Sequence, residues 1–240
     1  VGKTTTTVNL AACIAELGYR ILVVDFDPQA NATSALGIDP RSVEKSMYDV
    51  ILNDVNLRDC IIKSQWDSLS VAPSNLDLAG AEIELVSAFN RERLLDGAIS
   101  SVISDYDFVL IDCPPSIGLL TVNALTAASE VLVPIQCEYL ALEGLGQLLS
   151  NVERVKTHLN KDLHISTIAL VMFDARTKLA GQVVEEIRSH FGERVCQQTV
   201  PRSVRLSEAP SYGQPIIYYD SSSRGAIAYR SLAKEITGGA

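Results

Sequence analysis

The sequence predicts a doubly wound α/β domain: a mostly parallel sheet with helices on both faces, in three layers. Three observations predict it. Six strand-length apolar runs recur along the 240 residues with helical patterns between them. Most of those runs are unbroken rather than alternating, as strands covered on both faces are. Two of them finish in aspartate, at the strand end where such sheets place their ligands.

In chain order the runs are RILVVD (20–25), LSVAP (69–73), FVLIDCP (108–114), VLVPIQ (131–136), ISTIALVMF (165–173) and a shorter VCQQTV (195–200). Between them, Thr4 to Leu17 closed by Gly18 reads as a helix with a glycine at its C-terminal end. Leu179, Val183, Val184, Ile187 and Phe191 form an apolar stripe at helical spacing, which is core packing rather than a cofactor-binding pattern. A last helix is expected over Ser222–Ile236, followed by a frayed TGGA tail.

At 47% hydrophobic residues the chain can bury a substantial core, and one domain over residues 1–240 is the expectation. The longest apolar run, Thr167 to Phe173, has strand length and falls short of the ~18 residues of a membrane helix. Nothing at the start resembles a charged-then-apolar leader. Cys13, Cys60, Cys113, Cys137 and Cys196 are scattered without a C-x-x-C, which argues against a disulfide framework and against a zinc or iron–sulfur site, and for a reducing compartment.

A net charge of −9 taken alone disfavours nucleic acid. The average hides an asymmetry, because from residue 171 onward basic side chains outnumber acidic ones by nine to seven. A local cationic patch is therefore permitted.

The chemistry gathers at one edge of the sheet. Gly2-Lys3-Thr4 opens the first helix and matches the back half of a phosphate-binding loop, G-x-x-x-x-G-K-[ST], whose front half would lie ahead of Val1. The expectation is a P-loop NTPase domain truncated within that loop. Asp25 and Asp112 end two strands, and Asp27 follows two residues later. In a parallel sheet these carboxylates emerge at the rim where the loop holds phosphates. The set divides the labour: backbone N–H groups from Gly2 to Thr5 with Lys3 for phosphate charge, the Thr4 hydroxyl for Mg²⁺, Asp112 for Mg²⁺ through water, and a carboxylate to orient attacking water. Asp27 is preferred over Asp25 for that last role, because Asp25 ends the strand and is expected to be held by backbone neighbours, whereas Asp27, just beyond, can swing toward solvent and a terminal phosphate. The polar QANATS that follows fits a mobile switch loop. A guanine-reading N-K-x-D is absent.

Four blocks carry a resemblance: VGKTTTTVNLAACIAELGYRILVVDFDPQANATSALG, YDFVLIDCPPSIGLLTVNAL, VPIQCEYLALEGL and VPRSVRLSEAPSYGQPI…SRGAIAYRSLAKEI. In order, and over essentially the whole chain, they resemble the ParA/Soj partition ATPases, in the deviant-Walker group that also contains MinD. The resemblance implies a loop K-G-G-x-G-K-T whose signature lysine would fall three residues before Val1, and ATP and Mg²⁺ as cofactors. It implies Lys3, Asp27 and Asp112 as the catalytic set, with Asp27 positioning the hydrolytic water and Pro114-Pro115-Ser116 opening a switch. Gly2, Lys3, Thr4, Thr5, Pro201 and Arg202 would bind nucleotide, the last two flanking adenine, with Thr4 and Asp112 at the metal.

The same resemblance implies an ATP-dependent homodimer that binds DNA without sequence preference, and a ParB-like partner that stimulates hydrolysis. The cargo would be a chromosome, a plasmid or another body, and the setting cytoplasmic and nucleoid-associated. Non-specific DNA binding needs basic side chains at phosphate spacing on one face. Arg176, Lys178, Arg205 and Arg224 are the candidates, with Arg176 and Arg205 singled out by DARTKLAGQV and VRLSEAP. Two alternatives stand beside this reading. A MinD-like membrane ATPase would end in a basic amphipathic helix, and only TGGA follows the last helix here. A metabolic ligase of the dethiobiotin-synthetase type would share the loop but carry a substrate pocket.

Overall fold

The computed structural model describes residues 1–138 and 141–238. Tyr139 and Leu140 of the third resemblance block, and Gly239 and Ala240 of the expected tail, lie outside the described residues. The strands are β1 (Ile21–Asp25), β2 (Ile62–Lys63), β3 (Leu69–Ala72), β4 (Phe108–Asp112), β5 (Glu130–Gln136), β6 (His164–Phe173) and β7 (Val195–Pro201). The helices are α1 (Lys3–Glu16), α2 (Asn31–Ala35), α3 (Met47–Leu52), α4 (Leu57–Cys60), α5 (Leu78–Glu84), α6 (Leu94–Ser100), α7 (Leu119–Ala127), α8 (Ala141–His158), α9 (Lys178–Phe191), α10 (Val204–Glu208), α11 (Ile216–Tyr219) and α12 (Arg224–Ile236). All six expected strands form. The short β2, which the sequence reading did not anticipate, runs antiparallel to β3.

The strands form two ladders, β2-β3-β1-β4 and β5-β6-β7. Apart from β2, every pairing is parallel. The ladders are joined by packing instead of hydrogen bonds. One apolar core takes Ile21, Val23 and Val71 from the first and Ala169, Val171 and Val200 from the second, and closes them under α1 and α12. A second core covers the other face of β1 and β3 with α3, α5, α6 and α7, and a third lies between β5, β6, α8 and α9. The fold is thus α/β of the P-loop NTPase type, with helices on both sides of mostly parallel strands.

Local chemistry explains where the helices start. Gly2 takes a left-handed conformation, φ 79°, so that the chain can turn into α1. Gly18, φ 94°, releases it after Leu17. Thr177 and Ser223 cap α9 and α12 by accepting the N–H groups of Ala180 and Ala226. Of the expected α9 stripe, Val183, Val184 and Ile187 are buried, but Leu179 is exposed, because it lies in the first turn beside an open cavity. In α12, Ala226, Ala228, Tyr229, Leu232 and Ala233 are all buried, so its apolar face is spent on the core.

Candidate functional site

The register of the first ladder sets the site. Asp25 pairs with Asp112 across β1 and β4, and residues paired in a parallel ladder point to the same face. Two carboxylates therefore stand side by side at the C-terminal rim, and α1 begins there. The Thr7 hydroxyl, one turn into α1, donates to Asp112 Oδ1 at 3.3 Å. Gly2 approaches the other ladder so closely that a Cβ would lie 3.3 Å from Val171 Cγ2. The helix start thus sits between the rims of β4 and β6.

Asp25, Asp27 and Asp112 are 0%, 6% and 1% exposed. Asp25 is fully engaged: it accepts the N–H and the hydroxyl of Thr33, both at 2.7 Å, and the N–H of Asp27 at 3.3 Å. This is the restraint expected of it. Burial nonetheless pushes its carboxyl up to about 6, against those hydrogen bonds and with a small push from Asp27. Asp112 goes further, to about 7. Burial dominates, Thr4 and Thr7 pull the other way, and the charges of Asp25 and Asp27 add to the rise. Its Oδ2 is buried with no hydrogen-bond partner.

Asp27 accepts the Gln29 N–H at Oδ1, 3.0 Å, and makes no hydrogen bond through its other oxygen among the described residues. It is buried, not swung out to solvent as the sequence suggested, because the chain folds back at once: Ala30 N–H returns to Asp27 O at 2.9 Å, with Ala30 at φ 52°. The following segment, expected as a loop, forms α2. A non-glycine residue in the left-handed region carries strain that the surroundings must hold, and such residues gather at ligand clamps and switches.

Three buried carboxylates, with Asp112 Oδ2 wholly buried and unpaired, call for a cation. The donor set fits Mg²⁺: hard oxygen atoms from Asp112 and the Thr4 hydroxyl, beside a helix start suited to phosphate. Among the described residues no group of three or more His, Cys, Asp or Glu could cage a metal by itself.

Around this rim lie two cavities. One, about 530 Å³, is lined by Cys137, Glu138, Met172, Asp174, Arg176 and Arg202 among others, at the C-terminal ends of β5, β6 and β7. Pro201 pairs with Phe173, and the Arg202 N–H donates to Phe173 O at 3.0 Å, which holds the Pro201-Arg202 pair at the mouth. The other, about 430 Å³, lies between α1, α2 and residues 210–214, with Thr4, Thr5, Asn9, Asn31, Ser34 and Gln214 in its wall. Asn9 fixes that wall by accepting the Ile216 N–H at 2.6 Å.

The expected basic residues separate into two groups. Arg176 and Arg202 share the larger cavity, with Lys178 just beyond, at the start of α9. Arg205 is on α10, against which α12 starts: a Cβ on Gly225 would lie 2.8 Å from Leu206, next to Arg224. Arg176 is paired with Asp174 at 2.7 Å, Arg202 with Glu138 at 3.1 Å, and Arg205 with Glu208 at 3.1 Å and Asp220 at 3.5 Å. Lys178 and Arg224 are exposed and make no ion pair among the described residues.

Two side chains that hold the site escaped the sequence reading. Thr7 follows Thr4 by three residues, a spacing that puts both on one helical face toward Asp112, and that signal was available. Thr33 gave none, because it reaches Asp25 only through the tight turn at Ala30.

The family described as AAA domain matches residues 1–165. The chain is 54% identical over 236 residues to the sporulation initiation inhibitor protein Soj of Bacillus subtilis, covering 98% of this chain and 93% of that one. It is 50% identical over 236 residues to the chromosome partitioning protein ParA of Myxococcus xanthus, covering 98% and 83%. Among solved structures, the cobyrinic acid a,c-diamide synthase of Mycobacterium smegmatis with bound ADP and magnesium superposes with a TM-score of 0.85 at 36% identity, covering 98% of this chain and 89% of that one.

Proposed function

Since the chain belongs to the ParA/Soj family of chromosome-partitioning ATPases, we propose that its ATPase site is the rim where α1 meets Asp25, Asp27 and Asp112, within one domain spanning residues 1–240. The observation that carries this is the buried, partnerless Oδ2 of Asp112 beside two further buried carboxylates. A site so arranged is costly without a cation and becomes favourable when Mg²⁺ arrives with a triphosphate.

In this reading the N–H groups of Gly2 to Thr5 bind the phosphates, helped by the helix dipole, and the Lys3 ammonium offsets their charge. Thr4 and, through water, Asp112 hold Mg²⁺, which when bound neutralises charge building on the phosphate oxygens. Asp27 orients the attacking water and accepts its proton. Asp25 is a structural neighbour, spent on Thr33 and the turn. Arg202 borders the 530 Å³ cavity and, with Pro201 next to it in the chain, offers a seat for the adenine, and Pro114-Pro115-Ser116 respond to the terminal phosphate.

The cycle that follows is dimerisation on ATP, attachment to DNA without sequence preference, and release when a ParB-like centromere-binding partner stimulates hydrolysis at the nucleoid. Arg176, Lys178, Arg205 and Arg224 are the proposed DNA contacts. A membrane role finds less support. No helix among the described residues is long and apolar enough to cross a membrane, and the apolar face of α12 is already buried.

A second reading, an ATP-dependent synthase acting on a small carboxylic substrate, is favoured by the likeness to the solved synthase. Phosphate release and DNA co-sedimentation on the same preparation separate the two. DNA-stimulated hydrolysis without any small-molecule product supports partition. Turnover that depends on a small acid and ignores DNA overturns it.

A further inference from the structure

Helix α5 carries a carboxylate that the site described above does not use. Glu82 Oε1 is buried without a hydrogen-bond partner. It lies against Gly118, where an added Cβ would collide with Oε1 and sit 2.8 Å from Cδ. Gly118 has φ −104° and ψ −169°, a conformation open to any residue. Glycine therefore serves there by leaving room, not by backbone freedom.

Gly118 ends the segment 113–118 that runs out from Asp112, and it precedes α7. The far side of that segment is already tied, since the Thr121 hydroxyl donates to Ser116 O at 2.6 Å and Val122 N–H to Gly118 O at 3.0 Å. Glu82 supports the segment from the side of α5. Beyond it on the same stretch, Ile83 and Phe89 stand 78% and 97% exposed.

We propose that Glu82 is a positioning residue for ATP hydrolysis, whose carboxylate props the segment 113–118 at Gly118 and so fixes how the residues after Asp112 meet the terminal phosphate. A buried acceptor with no donor is costly, so the arrangement is a poor resting place for a carboxylate. The first-turn N–H groups of α7, at Leu119, Leu120 and Thr121, have no acceptor within their helix.

The proposal rests on the ATPase reading of the rim, and the test keeps the two apart. In the full chain, Glu82→Ala lowers kcat about tenfold while KM for ATP stays within about twofold, since positioning is lost and ground-state binding is not. Glu82→Gln keeps the shape and restores kcat to within about twofold of the parent. Gly118→Ala displaces the carboxylate and matches Glu82→Ala, but adds nothing in a Glu82→Ala background. Hydrogen exchange over residues 113–121 quickens in Glu82→Ala and Gly118→Ala and is unchanged elsewhere; this arm reads even where turnover is lost for other reasons. A Glu82→Ala protein with parental kcat and parental exchange overturns the proposal. So does a Gly118→Ala effect of equal size in both backgrounds, or loss of protection spread through the whole chain.

Discussion

At the rim of β1 and β4, three carboxylates are almost wholly buried and one oxygen has no partner, whereas at the rim of β6 and β7 Arg176 and Arg202 are mostly exposed and each lies beside its own carboxylate. The first arrangement is unstable by itself: like charges share a dry site, and burial drives two of the carboxyls up to about 6 and about 7. The second is at rest, because an exposed pair is worth only about 0–1 kcal/mol and demands nothing more. Unmet need is what supports the proposal that the first rim is the ligand site. The second rim gives no such sign, so its role is argued from family and from charge distribution.

The comparison is tested most severely at Asp27. If its uncommitted oxygen works on water, Asp27→Ala lowers phosphate release about 10²–10⁴-fold while leaving ATP-dependent DNA co-sedimentation intact. Turnover at the parental rate removes the assignment. Next comes Asp112→Asn, for which activity and stability move in opposite directions. Turnover falls about 10²-fold as the Mg²⁺ ligand weakens, and the nucleotide-free protein gains about 1–3 kcal/mol because a buried, partnerless charge is gone.

Proton linkage gives this second substitution a pH signature. The folded carboxyls of Asp25 and Asp112 titrate near 6 and 7, well above the roughly 3.9 of an unfolded Asp. Between those limits the native state binds more protons than the unfolded one. Stability of the nucleotide-free protein from these two groups is therefore fully present at about pH 4 and is lost as pH rises through 6 and 7. Mg²⁺–nucleotide needs the ionised forms, so its affinity strengthens over the same window. Urea unfolding at several pH values reads the slope, and in Asp112→Asn the part ending near 7 disappears. An unchanged slope contradicts the burial of that charge.

What the sequence made legible follows the same division. Asp25 and Asp112 were visible because a strand end is a topological address: an unbroken apolar run closing in Asp fixes both rim and face. The six strands and α1 were legible for the same reason, since hydrophobic period is local. The burial of Asp27 was not, because it depends on the left-handed turn at Ala30. Thr33, Asn9 and Glu82 act across 8, 207 and 36 residues respectively, at Asp25, Ile216 and Gly118, and polar side chains with such distant partners leave no periodic trace.

Ion pairing changes the ranking of the basic candidates. Resemblance favoured Arg176 and Arg205, yet both are neutralised, while Lys178 and Arg224 have no acidic partner among the described residues. The double substitution Lys178→Glu and Arg224→Glu is expected to weaken ATP-dependent DNA binding about tenfold or more at moderate salt, and to lower the slope of log affinity against log salt by roughly one for each phosphate that is no longer neutralised. Arg205→Glu weakens binding less and leaves unstimulated hydrolysis unchanged. Equal losses from the two experiments would mean that pairing within the free chain does not matter on DNA.

The smallest effect sharpens the comparison most directly, because it creates unmet charge where there was none. Glu208 holds Arg205 at 3.1 Å and also accepts the Tyr219 hydroxyl at 3.2 Å. Glu208→Gln keeps an acceptor for Tyr219 but removes the countercharge, leaving only Asp220 at 3.5 Å to compete for the guanidinium. If Arg205 faces DNA, its affinity for phosphate rises by about twofold, the scale of one exposed ion pair, and the gain shrinks at higher salt as screening grows. Binding that is unchanged at low salt places Arg205 away from the DNA-facing surface, and its pairing with Glu208 and Asp220 then serves only to fasten α10 to the segment before α12.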